Sequence, residues 1–311
     1  MREVPFTVLR GFAMGAADIV PGVSGGTVAL VLAIYTRLID AIRTGSSALG
    51  RFLRFDIAGG MALLRQVEWT FLLPLGGGIA LAVVTLSGAI EHALHTYPVP
   101  MASLFLGLVA GSVAVAWQLL TVRDALRLAV LAGVGLITFV LLGLRESTST
   151  ASAGDAADAA THAPWVFFAA GSVAICAMIL PGISGSFLLL SLGMYAPVLA
   201  AVNDRDVVSI GSLLLGCIVG LALFSQVLHW ALAHHEATVM AALIGLMVGS
   251  LRVLWPWPLG VDSTALGAPE GPLVWPLVLM VGGCALVVGV SRFATKIEHR
   301  SAADAVEDLR H

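Results

Sequence analysis

The sequence predicts an all-α polytopic membrane protein built as an inverted-topology repeat. Each half holds a Pro-Gly-broken, re-entrant helical hairpin followed by three transmembrane helices. Three observations carry that expectation. The 311 residues are 59% hydrophobic and 11% charged, with mean hydropathy +0.97, whereas soluble domains are about 45–50% apolar and about 25% charged. Ile-Val-Pro-Gly-Val-Ser-Gly-Gly at residues 19–26 returns as Ile-Leu-Pro-Gly-Ile-Ser-Gly-Ser at residues 179–186. Finally, of 16 basic residues only Arg145, Arg205 and Arg252 fall on the outer side of the implied topology, a positive-inside bias with the N-terminus cytoplasmic.

The first apolar stretch, residues 4–20, has the length of a secretory leader. It returns as residues 165–180 in mid-chain, so both copies are read as part of the fold. Proline lacks the N–H a helix needs and glycine carries the largest backbone entropy cost, so Pro21-Gly22 and Pro181-Gly182 interrupt these stretches. Interrupted backbone at membrane depth is tolerated only where it is buried in protein or lines a cavity. Matched breaks in two halves point to a transporter binding site. The arms flanking each break measure roughly 16–19 residues, close to the ~20 that a crossing needs, which leaves hairpin depth open.

Three spans follow each hairpin, at residues 69–90, 99–120 and 126–144, then 207–232, 238–254 and 273–293. Gly107-x-x-x-Gly111 and Gly245-x-x-x-Gly249 are matched, as are Trp117 and Trp255. Such glycine pairs let helix backbones approach closely in lipid. A hairpin that enters and leaves on one side, followed by three spans, inverts the second half relative to the first. The organisation expected is a first membrane repeat over 1–145, an extracytoplasmic linker over 146–164, a second, inverted repeat over 165–295 and a cytoplasmic tail over 296–311.

Net charge is −3, which does not suggest a nucleic-acid partner. Cys176, Cys217 and Cys284 are odd in number and follow no metal-ligand spacing, so they read as small buried hydrophobes. No Walker-type loop is present, and neither a metal nor a cofactor is expected.

In both copies a helix restarts just after the break, offering N–H groups and the positive end of its dipole to an anion. Pro21, Gly22, Gly25, Gly26, Pro181, Gly182 and Gly185 allow a ligand close to the backbone, while Ser24, Thr27, Ser184 and Ser186 can cap a helix or donate to an oxyanion. Asp18 precedes the first break and is the candidate for ion coupling; Arg10, two turns earlier, can attract an anionic head group. Their counterparts are Met178 and Ala170. The plainer readings are a helix cap or salt bridge for Asp18, snorkelling for Arg10, and hairpin packing for the breaks themselves. Tyr35 and Tyr195 can line the site or anchor at the interface. Both breaks also spell Gly-x-Ser-Gly, but a serine protease needs an activating histidine in the same layer, and His92 and His229 lie near span ends.

Residues 11–27, Gly-Phe-Ala-Met-Gly-Ala-Ala-Asp-Ile-Val-Pro-Gly-Val-Ser-Gly-Gly-Thr, with Ala33-Ile-Tyr35, resemble the opening signature of the PopT polyprenyl-phosphate transporter family. Residues 180–190, Leu-Pro-Gly-Ile-Ser-Gly-Ser-Phe-Leu-Leu-Leu, and Leu192-Gly-Met-Tyr195 resemble its second signature. Ala33 stands where the family more often has glycine, a departure expected to matter little, and the linker is longer and more polar than the family suggests. The resemblance implies a multi-pass flippase, not an enzyme, in the bacterial cytoplasmic (inner) membrane. Its substrate would be undecaprenyl phosphate, returned to the inner leaflet for reuse in envelope synthesis. Substrate and bilayer lipid are the implied partners, and a homo-oligomer is left open. The alternative is a small-anion channel or ion-coupled exporter that uses the same broken-helix site.

Overall fold

The computed structural model describes residues 3–20, 23–144, 163–182, 184–185, 188–189, 192–258, 260 and 266–308. The linker expected at 146–164 lies almost wholly outside these residues. The described residues form helices and connecting turns. They are α1 (Glu3–Asp18), α2 (Gly25–Val31), α3 (Tyr35–Leu53), α4 (Ile57–Gln66), α5 (Trp69–Thr96), α6 (Pro98–Leu119), α7 (Ala125–Leu144), α8 (Pro164–Ile179), α9 (Tyr195–Asn203), α10 (Val207–Ser250) and α11 (Val274–Asp308).

Five of these are long and apolar enough to cross a membrane: α5, α6, α7, α10 and the Val274–Arg292 part of α11. They fall where spans are expected, with one difference. The two spans expected at 207–232 and 238–254 are joined in α10, whose 44 residues are interrupted by non-helical backbone at His235 (φ −137°, ψ 38°). At ~1.5 Å per residue this helix is about twice as long as ~30 Å of hydrocarbon.

The hairpin arms also differ from expectation. α1 and α8 have 16 residues each. After the first break, however, the chain makes only the seven residues of α2 before turning again. The turn is a Schellman motif: Ile34 N–H bonds to the Ala29 carbonyl, Ala33 N–H to that of Leu30, and Ala33 sits at φ +54°. The second half repeats it at Gly193, φ +70°, with Met194 N–H on the Leu189 carbonyl. The left-handed conformation is free to glycine but strained for alanine, so the Ala33 departure has a consequence that sequence alone did not suggest. Beyond the turn, α3 is amphipathic, with Tyr35, Ile39, Ala41 and Ala48 buried and Arg43 exposed.

Helix pairs close on glycines. A Cβ on Gly11 of α1 would strike the Leu75 carbonyl of α5, and one on Gly78 the Val8 carbonyl. The matching positions of the second half do the same: Gly171 of α8 meets Leu213 of α10, and Gly216 meets Phe168. The later helices pair crosswise between halves. Gly107 of α6 approaches Met280 of α11, while Gly245 of α10 approaches Leu131 of α7. Small residues at such crossings let backbones pack without side chains between them. The buried core gathers around the breaks, with Leu30, Tyr35, Phe71, Ile179, Ile244 and Met247 in one cluster and Val20, Val23, Val109 and Leu254 in another.

Candidate functional site

The two breaks meet in space, and side chains of the first hold the backbone of the second. Ser24 is the N-cap of α2 and accepts from Gly26 N–H at 3.1 Å. Its hydroxyl lies 3.2 Å from the Met178 carbonyl and 3.3 Å from that of Leu180, where α8 ends before Pro181. Thr27 Oγ1 accepts from Gly182 N–H at 3.0 Å. Tyr35 donates its hydroxyl to the Ile179 carbonyl at 3.2 Å. Ser24, through its one shared hydroxyl hydrogen, and Tyr35 thus reach carbonyls at the end of α8, which a helix end leaves without intrahelical partners, and Thr27 takes up an N–H of the second break. Gly26 is held to glycine size, because a Cβ there would lie 2.6 Å from the Ile179 carbonyl.

Asp18 closes the first break. Its Oδ1 accepts from Gly25 N–H at 2.6 Å, so the first two N–H groups of α2 are already bonded, one to Asp18 and the other to Ser24. A carboxylate at a helix start is favoured both by the bond and by the dipole. Met178 takes the matching place in the second break, its side chain packed over Gly185.

A cavity of about 240 Å³ opens at this point. Asp18 reaches it from the first break, and Ser184 and Gly185 from the second; Met178, Leu213 and Cys217 are among its apolar walls. The cavity therefore brings one carboxylate and one hydroxyl together with the glycines Gly171 and Gly185 in an otherwise apolar lining. An anion and the Asp18 carboxylate can share so small a space only with a proton or cation between them, since like charges at this range disfavour double ionisation.

The other expected site residues divide. Ser24, Thr27 and Tyr35 are buried in bonds between the breaks. Pro181 and Gly182 are buried, Gly182 at φ +90° against the Met247 backbone. Arg10 is half-buried on α1 and does not line the cavity. Tyr195 does not mirror Tyr35: it is 45% exposed, against 3%. Pro21, Gly22 and Ser186 lie outside the described residues. His229 Nδ1 lies 2.5 Å from Asp40 Oδ1, on α10 and α3, and is engaged there. The walls Leu213 and Cys217 carry no sequence signal of their own, because their place follows from how α10 crosses α8.

Known proteins match the chain over most of its length. It is 37% identical to a polyprenyl-phosphate transporter of Vibrio cholerae serotype O1, covering 93% of this chain and 97% of the relative. It is 31% identical to a polyprenyl-phosphate transporter of Staphylococcus aureus, covering 88% of this chain and 90% of the relative. No solved structure matches it. The family model described as undecaprenyl phosphate translocase-like matches residues 14–266, a span that takes in both breaks and the cavity between them, and the chain belongs to that family.

Proposed function

We propose that this multi-pass membrane protein transports a polyprenyl phosphate, undecaprenyl phosphate, across the bacterial cytoplasmic membrane and so returns the lipid carrier to envelope synthesis. The names of its relatives supply the substrate class. The cavity in which Asp18 meets Ser184 and Gly185 is the observation that carries the mechanism. The phosphate head group sits there against the second break, accepting from Ser184 and from backbone N–H groups, while the polyprenyl tail stays in apolar surroundings. Ser24, Thr27 and Tyr35 hold the breaks in register. Gly25, Gly26, Gly182 and Gly185, with Pro181, shape the backbone, and Tyr195 completes the second half-site. Asp18 exchanges the proton or sodium ion that accompanies the phosphate, and Arg10 draws the head group toward the first break.

An inverted repeat accommodates these contacts. Gly11 on Leu75 and Gly171 on Leu213 are the same contact in two halves, and α6 and α10 each pair with the last span of the other half. The 44-residue length of α10 and its interruption at His235 support two crossings, hence six spans in all. The seven residues of α2 are too few to cross, which supports a re-entrant first hairpin. The first repeat then occupies 1–145 and the second 165–295, with an outer linker between them, and both termini face the cytoplasm.

The test is leaflet-resolved uptake of undecaprenyl phosphate by proteoliposomes, with and without a pH or sodium gradient. Uptake by the protein that Asp18→Asn uncouples from the gradient is the expected result. Uptake no faster than in empty liposomes overturns the proposal.

A further inference from the structure

We propose that the α3–α4 segment is a docking surface for an anionic phospholipid bilayer. Its presence in one half only is the first observation. Tyr35 matches Tyr195 at an offset of 160, but Leu75 matches Leu213 at 138, so the first half carries 22 additional residues between them. They fall in α3 and α4; in the second half the nine-residue α9 leads through a short turn directly to α10.

Charge is the second. Residues 35–66 contain five arginines and two aspartates, in a chain whose net charge is −3. Arg37 pairs with Glu68 and Arg51 with Asp56, and Asp40 is engaged by His229. Arg43, Arg54 and Arg65 are exposed, and among the described residues none has an acidic group within 4.0 Å. The matching tip of the second half, Asp204-Arg205-Asp206, holds two acidic residues and one basic.

Apolar exposure at the same place is the third. The turn between α3 and α4 is a Schellman motif in which Phe55 takes φ +59° and is 91% exposed. A bulky side chain in the left-handed region is strained. Ile57, 68% exposed, and Met61 continue the patch along α4. An aromatic and aliphatic edge flanked by arginines without acidic partners fits the boundary between anionic head groups and acyl chains, where apolar burial and charge attraction act together. A soluble acidic protein would match the arginines but would leave no reason for the apolar edge to stand beside them.

The test uses the full chain with Cys176, Cys217 and Cys284 replaced by alanine and Phe55→Cys carrying a polarity-sensitive fluorophore. It is reconstituted into phosphatidylcholine vesicles, alone or mixed with phosphatidylglycerol. Blue-shifted emission that requires phosphatidylglycerol is expected. It should be lost in the Arg43→Gln, Arg54→Gln, Arg65→Gln triple variant and at high salt. The same fluorophore at Asn203→Cys, on the other tip, should not respond to phosphatidylglycerol. Water-like emission in both vesicles overturns the proposal and leaves the surface to a soluble partner. Equal blue shifts in both vesicles overturn the anionic preference, as does a triple variant that behaves like its parent. Size-exclusion profiles of the detergent-solubilised variants separate loss of docking from loss of fold.

Discussion

Asp18 and Met178 take the same place in the two breaks: the Asp18 carboxylate lies over Gly25 and the Met178 thioether over Gly185. One half-site therefore contains a carboxyl group where the other has a thioether. The cavity opens where Asp18 reaches across to Ser184 and Gly185, so the two halves of a repeated sequence are chemically unequal at their shared centre.

On the proposed mechanism this inequality assigns the phosphate to the second break. Asp18→Asn keeps an oxygen for Gly25 N–H but no longer titrates, so lipid binding should survive while the pH or sodium dependence of uptake disappears. Met178→Asp should do the reverse and stop uptake, by adding a carboxylate beside the phosphate. Binding of undecaprenyl phosphate and gradient-driven uptake, measured on both variants, check this. Unchanged gradient dependence in Asp18→Asn would reduce Asp18 to a helix cap.

Cys217 is a built-in reporter of the cavity. A bulky thiol reagent should inhibit uptake by the native chain, with undecaprenyl phosphate protecting against it, and Cys217→Ala should be insensitive. Inhibition that persists in Cys217→Ala would place the reactive thiol elsewhere.

The bonds between the breaks should appear as stability rather than as coupling. Ser24→Ala removes a cap and the bonds to Met178 and Leu180, a loss of about 1–2 kcal/mol. Tyr35→Phe removes the bond to Ile179 and should cost about 1 kcal/mol. Thermal unfolding in detergent measures both. A Tyr195→Phe variant with the same loss would contradict the different exposure of the two tyrosines.

Ala33 offers the opposite change. Ala33→Gly relieves the left-handed strain of about 1–2 kcal/mol but loosens the unfolded chain, so a net gain of roughly 0.5–1 kcal/mol is expected. Gly193→Ala should destabilise by a comparable amount. The same unfolding experiment reads both, and a loss on Ala33→Gly would refute the strain.

Topology is open to labelling. Single cysteines at Ser152 and Ser301 should react from opposite sides of sealed vesicles. Reaction of both from one side would rule out the inverted arrangement.

Much of this molecule is legible in the chain itself. Apolar runs bounded by charges locate α5, α6, α7, α10 and α11 because hydrocarbon thickness sets span length. The recurrence of Pro-Gly-x-Ser-Gly locates the two breaks because proline and glycine act on the backbone locally. Local signals do not extend to the seven-residue length of α2, since Ala33 gives no sign of a left-handed turn. The spans read at 207–232 and 238–254 do meet at the non-helical backbone of His235, which divides α10. Ser24, Thr27 and Tyr35 are polar residues beside a break in either description. Only tertiary structure decided that their partners are backbone groups of Met178, Ile179, Leu180 and Gly182, more than 140 residues away. The same holds for Leu213 and Cys217 as cavity walls, and the reason is physical: a helix's sequence determines where it starts and bends, whereas its neighbours across a crossing depend on which glycines let two backbones close.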